Sequence, residues 1–382
     1  MESIPTTSKT IQTLHRFNTE YCCDSVEWCP HRPHQHIFVC ANYHLLSNNE
    51  SSNQERIGRI LLFSVDQDGL QLLQTVDTPG ILDQKWCHNK INGYSILGVV
   101  NAKSTIEVYK LLCGDENTLS DVKLELLSRL KITGDDTITS ETLILSLDWS
   151  SGKYDSETPE IVCSDSKGNI HRLKLQNEKI ELCNSWHAHE YEAWIAAFYY
   201  WNTNVVFTGG DDSLFLQFDS RTGELPITTN KSHQAGVTSI HSNAKIEYLL
   251  ATGSYDSNLR LWDIRNIKRP KNEFKMMETL WRLKWNPHND HLLLAACMLG
   301  GVHVININED IQVVESYYEH RNLSYGADWS FLDRNELKRF GENTKYLVAS
   351  CSFYDHLLCV WLSKIDNDTI KKLIAMIKRY KI

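Results

Sequence analysis

Apolar and polar residues alternate along most of this chain in short runs of roughly four to eight, the signature of half-buried β-strands. The runs come in pairs. "LLATGSYDSNLRLWDIR" (residues 249–265) holds an apolar run, a turn at Tyr255-Asp256-Ser257 and a second run ending in Trp262-Asp263. Aligned on Trp262, six other stretches show the same run, turn and run, and they place Phe63, Tyr109, Leu173, Phe218, Ile305 and Trp361 at the equivalent position. The successive separations are 46, 64, 45, 44, 43 and 56 residues. One propeller blade takes roughly 40–45 residues, so the two long separations require insertions. A second series alternates with the first: "SVEWCP", "LDQKWC", "LSLDWS", "WIAAFYY", "GVTSIHS", "WRLKWNP" and "GADWS". These read as inner strands. The pattern therefore predicts an all-β, seven-bladed β-propeller over residues 9–363.

The ends and insertions complete that prediction. "KTIQTLHRF" (residues 9–17) precedes the first inner strand. It is expected to supply the outer strand of the last blade and so remove the open edges of the ring. "HLLSNNESSNQERIG" (44–58), "GDENTLSD" (114–121) and "GKYDSETPE" (152–160) are polar and predict loops. Residues 364–382 form a separate tail. It carries Ile370, Leu373, Ile374 and Ile377 at helical spacing with lysines and an arginine between them, which predicts a short C-terminal helix packed on the propeller surface.

Histidines and aspartates add a third regularity. Asp212, Asp256 and Asp355 each lie six residues before an aligned aromatic residue, and His189, His233 and His320 lie upstream of them. The first two His-to-Asp gaps are both 23 residues; the third is 35. A His, two strands, an Asp in the turn between them and a terminal Trp-Asp make the WD40-type repeat pattern. Its chemistry is a hydrogen-bonded chain in which the turn carboxylate accepts from the His ring, the His reaches a strand hydroxyl, and the Trp indole ends the chain. This assigns His189, Asp212, His233, Asp256, Trp262, His320, Asp355 and Trp361 to structure, because buried polar groups must be paired.

Composition narrows the function classes. The chain has 382 residues, a formal net charge of −9 and no basic stripe before its tail, which argues against direct nucleic-acid binding. No apolar run reaches the roughly 18 residues that a membrane helix needs. The N-terminus lacks the basic and apolar regions of a signal peptide. Eleven irregularly spaced cysteines then read as free, mostly buried thiols in a reducing compartment, the cytosol or nucleus. No G-x-S-x-G or H-E-x-x-H occurs. Cys29, His31, His34 and His36 in "WCPHRPHQH", Cys87-His88 and His187/His189 have non-standard ligand spacing, so no metal site is expected.

Several strings are more specific than the repeat: "DSVEWCP", "LDQKWCH", "WHAHEYEAWIAAFYYW", "GGDD", "WRLKWNPH", "HLLLAACM", "SYGADWS" and "CSFYDHLLCVW". Together, over roughly residues 11–363, they resemble the WD-repeat family of diphthine methyl ester hydrolases in diphthamide biosynthesis. The resemblance implies hydrolysis of the methyl ester of methylated diphthine on translation elongation factor 2, releasing diphthine and methanol. It also implies that elongation factor as partner and the cytoplasm as compartment, with the chain acting as a monomer and using no cofactor. The competing reading is a non-catalytic WD-repeat scaffold for protein–protein interaction, the usual role of this fold.

An ester hydrolase on this fold must assemble its site from several blades, where turns and inner-strand starts converge at the channel. Residues just before the turn aspartates, Asp211, Tyr255 and Tyr354, point there. So do residues opening inner strands: Glu192, Trp194, Trp281, Arg282 and Tyr325. Arg282 is a candidate to bind a carboxylate or polarise the ester carbonyl. Glu192 and Asp211 are candidates to activate water. The aromatic side chains Trp194, Tyr255, Trp281, Tyr325 and Tyr354 are candidates to hold the trimethylammonium of diphthine. Cys297, Cys351 and Ser352 are possible nucleophiles, but as strand residues they read more readily as packed between blades.

Overall fold

A computed structural model describes residues 11–46, 55–113, 121–132, 142–308 and 310–365. It contains seven four-stranded antiparallel sheets. Their inner strands are Cys22–Trp28, Ile81–Trp86, Ile144–Trp149, Ile195–Phe198, Val237–Ser242, Leu280–Trp285 and Ser324–Trp329, which we number as blades 1 to 7. The seven aligned positions fall in register. Phe63, Tyr109, Leu173, Phe218, Trp262, Ile305 and Trp361 all lie on third strands, opposite Phe38, Leu97, Ile161, Val206, Leu250, Leu293 and Val348. Gln12–Asn18 pairs with Leu357–Ser363 as the outer strand of blade 7, so the ring closes as the sequence predicts.

The recurring Trp at the end of an inner strand has a physical reason. In four of the five the indole donates to a backbone carbonyl of the preceding blade: Trp86 to Glu27 (3.2 Å), Trp149 to Lys85 (2.9 Å), Trp285 to His241 (2.9 Å) and Trp329 to Lys284 (3.0 Å); Trp28 is the exception. Side chains answer in the other sense. Asp328 accepts from Trp28 N–H (2.8 Å), Asp83 from Leu147 N–H (3.1 Å), Asp148 from Phe198 N–H (2.9 Å) and Ser239 from Leu283 N–H (3.0 Å). Neighbouring blades share no backbone ladder, and these bonds satisfy polar groups that the apolar interfaces would otherwise strand.

At the level of the fold the structure departs from the sequence reading in two places, residues 44–58 and the His–Asp pair of blade 7. Residues 44–58 are not all loop: pairing continues through His44↔Ile57, Leu45↔Arg56 and Leu46↔Glu55, while Ile57 also pairs with Pro79 on the next strand. A bond from Arg56 Nε to the Tyr43 hydroxyl (2.9 Å) ties this polar extension together. His356 is half-buried, with Nε2 3.6 Å from Cys22 Sγ and its carbonyl accepting from Thr19 N–H at the blade 7–blade 1 seam. In blade 7 the His–Asp contact is indirect, as described below. The predicted loop at 152–160 is described and irregular; the one at 114–121 and the tail helix fall almost wholly outside the described residues. Among those, the only α-helix is the single turn Arg334–Leu337, capped by Asp333 and Glu336.

Candidate functional site

Six of the seven inner strands open with a β-bulge. The extra residue is Asp24 in blade 1, Leu82 in blade 2, Leu145 in blade 3, Thr238 in blade 5, Trp281 in blade 6 and Tyr325 in blade 7. In blade 4 the bond from Asp211 N–H to the Glu192 carbonyl matches that from Tyr255 N–H to Gly236, which makes Trp194 the equivalent of Thr238. A bulge re-aims one side chain without disturbing the rest of the strand. Here it presents one side chain per blade at one mouth of the channel.

Three of these side chains are aromatic and they meet. Trp281 stacks on Tyr325 with ring centroids 4.6 Å apart, and Trp194 lies 5.8 Å from Trp281. Tyr255 completes a triangle, 6.1 Å from both tryptophans. Phe353 extends the arc, 5.3 Å from Tyr325 and 6.0 Å from Tyr43. Sequence reasoning placed Tyr354 here and missed Phe353. The bond from Phe353 N–H to the Leu323 carbonyl makes Phe353 the equivalent of Tyr255; the turn of blade 7 is one residue longer, and Tyr354 stands outside the arc against Phe353, 63% exposed. Asp211 accepts from the Trp194 indole at 2.9 Å, so its carboxylate orients that ring. Gly236 leaves room for both partners: a Cβ there would lie 2.8 Å from Asp211 Oδ1 and 3.0 Å from the Tyr255 ring. Glu192 is half-buried and electrostatically close to Tyr255.

The floor of the mouth is ionic. Arg282 reaches across the channel from blade 6 to Asp83 of blade 2, Nη2 to Oδ1 3.1 Å, and both side chains are buried. The guanidinium expected to meet substrate is thus held below the arc by a protein carboxylate. Beneath it Lys284 pairs with Glu27 and Lys85 with Asp148 (3.2 Å), closing the channel with charge pairs.

Asp24 is a second residue that sequence reasoning missed. It is 4% exposed, and its Oδ1 has no hydrogen-bond partner among the described residues. Burial pushes its carboxyl up to about 8; Arg282 opposes the shift, and Asp83 and Cys23 add to it. Burial also raises Tyr255 and Tyr325, both of which feel Asp24. A buried acid with a displaced pKa beside an open cluster of rings is a functional-site signature.

The other candidates have structural explanations. Ser352 is fully buried and takes both neighbours on one oxygen, with His320 Nδ1 at 2.9 Å and Asp355 beside it. A catalytic triad instead holds the carboxylate on the far ring nitrogen. That nitrogen of His320 contacts Ser350 (2.7 Å), to which Trp361 donates (3.0 Å). Asp355 thus reaches His320 only through Ser352, a correction to the direct pair expected. The direct form does occur in His189–Asp212 (3.0 Å) with Thr208 (2.7 Å), and in His233–Asp256 (3.1 Å) with Thr252 (2.8 Å) and Trp262 (2.9 Å). Cys297 is buried and pushed up to about 12, and burial also raises Cys351. His31 contacts Ser95 and the His88 carbonyl, while His34 contacts Cys113 and His36 the Pro33 carbonyl, so these rings do not converge. Among the described residues, only Cys23, Cys40 and Cys351 bring three ligand-type atoms together, within the apolar seam between blades 7 and 1. A depression of about 730 Å³ lies on the opposite face, between loops carrying Asn89, Lys90, Asp155 and Glu178.

Comparison with known proteins decides the family. Residues 224–263 match the model for "WD domain, G-beta repeat". The chain is 34% identical to a diphthine methyltransferase homolog of Dictyostelium discoideum, over 90% of this chain and 97% of that protein. It belongs to the diphthine methyltransferase family. It is also 40% identical to the diphthine methyltransferase of Mus musculus, over 85% of this chain and 70% of that one. Membership supports a role in diphthamide biosynthesis and supports an enzyme rather than a bare scaffold. A chain of a mitotic checkpoint complex superimposes with a TM-score of 0.64 over 96% of both chains at 14% identity, a likeness of fold alone.

Proposed function

We propose that this diphthine methyltransferase family member is a methyl ester hydrolase. It would remove the ester methyl of methylated diphthine on translation elongation factor 2, in the cytoplasm, and release methanol. The observation that carries the reading is the pairing of an aromatic arc with a buried acid, Asp24, at one channel mouth. Aromatic faces suit a trimethylammonium group. A carboxyl group with a pKa near neutrality suits proton exchange with water.

In this reading ionised Asp24 takes a proton from water as the water oxygen bonds to the ester carbonyl carbon. The tetrahedral intermediate collapses by breaking the bond to the methoxy oxygen, which receives the proton from Asp24 and leaves as methanol. The product carboxylate remains, with one proton released to solvent. Arg282, fixed by Asp83, supplies positive charge below the reacting oxygens, and Asp211 positions Trp194. Exposed Tyr191, Met277, Leu299, Tyr318 and Tyr354 on loops of the same face offer apolar contact to a protein carrying the modified side chain.

The relatives' printed name describes methyl transfer, so the assay must separate the two directions. Purified protein is incubated with elongation factor carrying methyl-esterified diphthine, and the ester methyl is followed by mass spectrometry alongside methanol. Loss of the methyl with stoichiometric methanol supports hydrolysis. An untouched ester, or a methyl gained from S-adenosylmethionine by the unesterified form, sinks it.

A further inference from the structure

Asp24 poses a problem for any reaction that uses it as a base. In the empty site its carboxyl lies in a position that favours the neutral form: it is buried, one oxygen lacks a donor, and Asp83 lies close by. The cation that acts on it, Arg282, is already engaged by Asp83 at 3.1 Å. The groups that face Asp24 are Arg282 from blade 6, Asp83 from blade 2, Cys23 on its own strand, and the phenols of Tyr255 and Tyr325. None of these is an uncommitted cation that would hold an ionised Asp24.

The rings beside it supply what is missing. Trp194, Tyr255, Trp281 and Tyr325 are half-buried, so each keeps part of its surface open at the mouth. Ring faces attract cations, most strongly where water is excluded. Carboxyl groups outnumber basic groups around them, with Asp24, Asp83, Glu192 and Asp211 against Arg282. A cation without N–H donors matches an arc built mainly of ring faces, with its charge balanced by the surrounding carboxyl groups.

We propose that the aromatic arc and Asp24 form a quaternary-ammonium receptor in which arrival of the cation expels the Asp24 proton. The site is thereby switched by its own ligand. Empty, it holds a neutral acid; occupied, it holds a carboxylate beside a positive charge. The inference uses the same mouth as the hydrolase reading but does not depend on that reaction, because binding and proton release are measurable without turnover. If the hydrolase reading also holds, the substrate's trimethylammonium prepares the base that activates the water attacking its ester.

The sign of the pH dependence follows from linkage. A bound cation stabilises the carboxylate, so the carboxyl pKa is lower in the complex than in the empty site. Affinity must then rise with pH, up to about tenfold per unit, between those two values, and binding releases close to one proton in that window. The probe is choline, titrated calorimetrically into the full chain between about pH 6.5 and 7.5 in buffers of different ionisation enthalpy. We expect proton release in the wild type and its loss in Asp24→Asn, together with the pH dependence. Trp281→Ala should weaken choline at every pH yet keep the proton release of whatever binding remains. Ethanolamine, the primary-amine analogue, should bind at least tenfold more weakly. Choline binding without proton release overturns the proposal, as does a pH dependence that survives Asp24→Asn, or ethanolamine binding as well as choline. The wild-type titration decides the first point even if a variant fails to fold.

Discussion

Asp256 and Asp355 occupy corresponding turns and hold different partners. Asp256 contacts the His233 ring directly, and Arg260 donates to it at 2.8 Å. Burial alone would raise its carboxyl, but the bonds from His233 and Arg260 hold it well below the usual range. Asp256→Ala should therefore destabilise the fold by about 1–3 kcal/mol in denaturant titrations, and an unchanged transition would remove the structural assignment. Asp24 carries the opposite sign. Its folded pKa of about 8 lies above the unfolded value, so the unfolded chain releases its proton first as pH rises, and stability falls between about pH 4 and 8. Asp24→Asn should raise the melting temperature at pH 8 and leave it nearly unchanged at pH 4, while impairing the site. Function held at the expense of stability is common in such positions. Asp24 was illegible in the sequence because, as the first residue of "DSVEW", it reads as one more polar position in an alternating strand. Trp194, Trp281 and Tyr325 were legible because a large ring at the start of an inner strand stands out from the alternation.

At the level of the element, the strand count and blade register could be read from period-two alternation and the Trp repeat, since both reflect burial. The bulges could not. One extra residue changes where a side chain points without changing which residues are apolar. The same limit put Tyr354 in place of Phe353: counting back from the turn Asp assumes equal turns, and the turn of blade 7 is longer. The entry to the inner strand of blade 5 carries its own requirement at Gly236, where a methyl group would press on Asp211 and Tyr255. Gly236→Ala is expected to weaken choline binding severalfold by displacing those side chains. Stability should stay within about 1 kcal/mol of the parent, since the two closest contacts are with side chains and the nearest backbone atom, Asp211 Cα, would be 3.3 Å away. Equal losses of both would mean that the glycine serves the fold instead.

The whole ring depends on a strand from the far end of the chain. Gln12–Asn18 covers the edge of Leu357–Ser363. A chain lacking everything through Asn18 should expose that edge and associate, which size-exclusion chromatography would register as oligomers. A soluble monomer with unaltered circular dichroism would show that closure is dispensable. The exposed side chains around the mouth belong to this scale as well. Met277 and Leu299 are 94% and 68% exposed and form no part of the aromatic arc. Replacing both by Glu should raise KM for the modified elongation factor about tenfold or more while leaving choline affinity within twofold. A parallel loss of both would place them in the small-ligand site.

The six bulge positions and their blade 4 counterpart, Trp194, form a set of corresponding slots. Each stands at the same place in its blade, and each holds one residue supported by a strand it does not help to pair. The mouth can therefore be rewritten one slot at a time while the staples and ladders below stay as they are. Leu82 and Leu145 occupy two slots with plain apolar side chains, opposite the aromatic sector. A ring introduced at either would face inward without further design, and an acid there would test whether the Asp24 slot is special or only one of seven. For a scaffold of this kind, ligand preference is a matter of which letters stand in a short circular word.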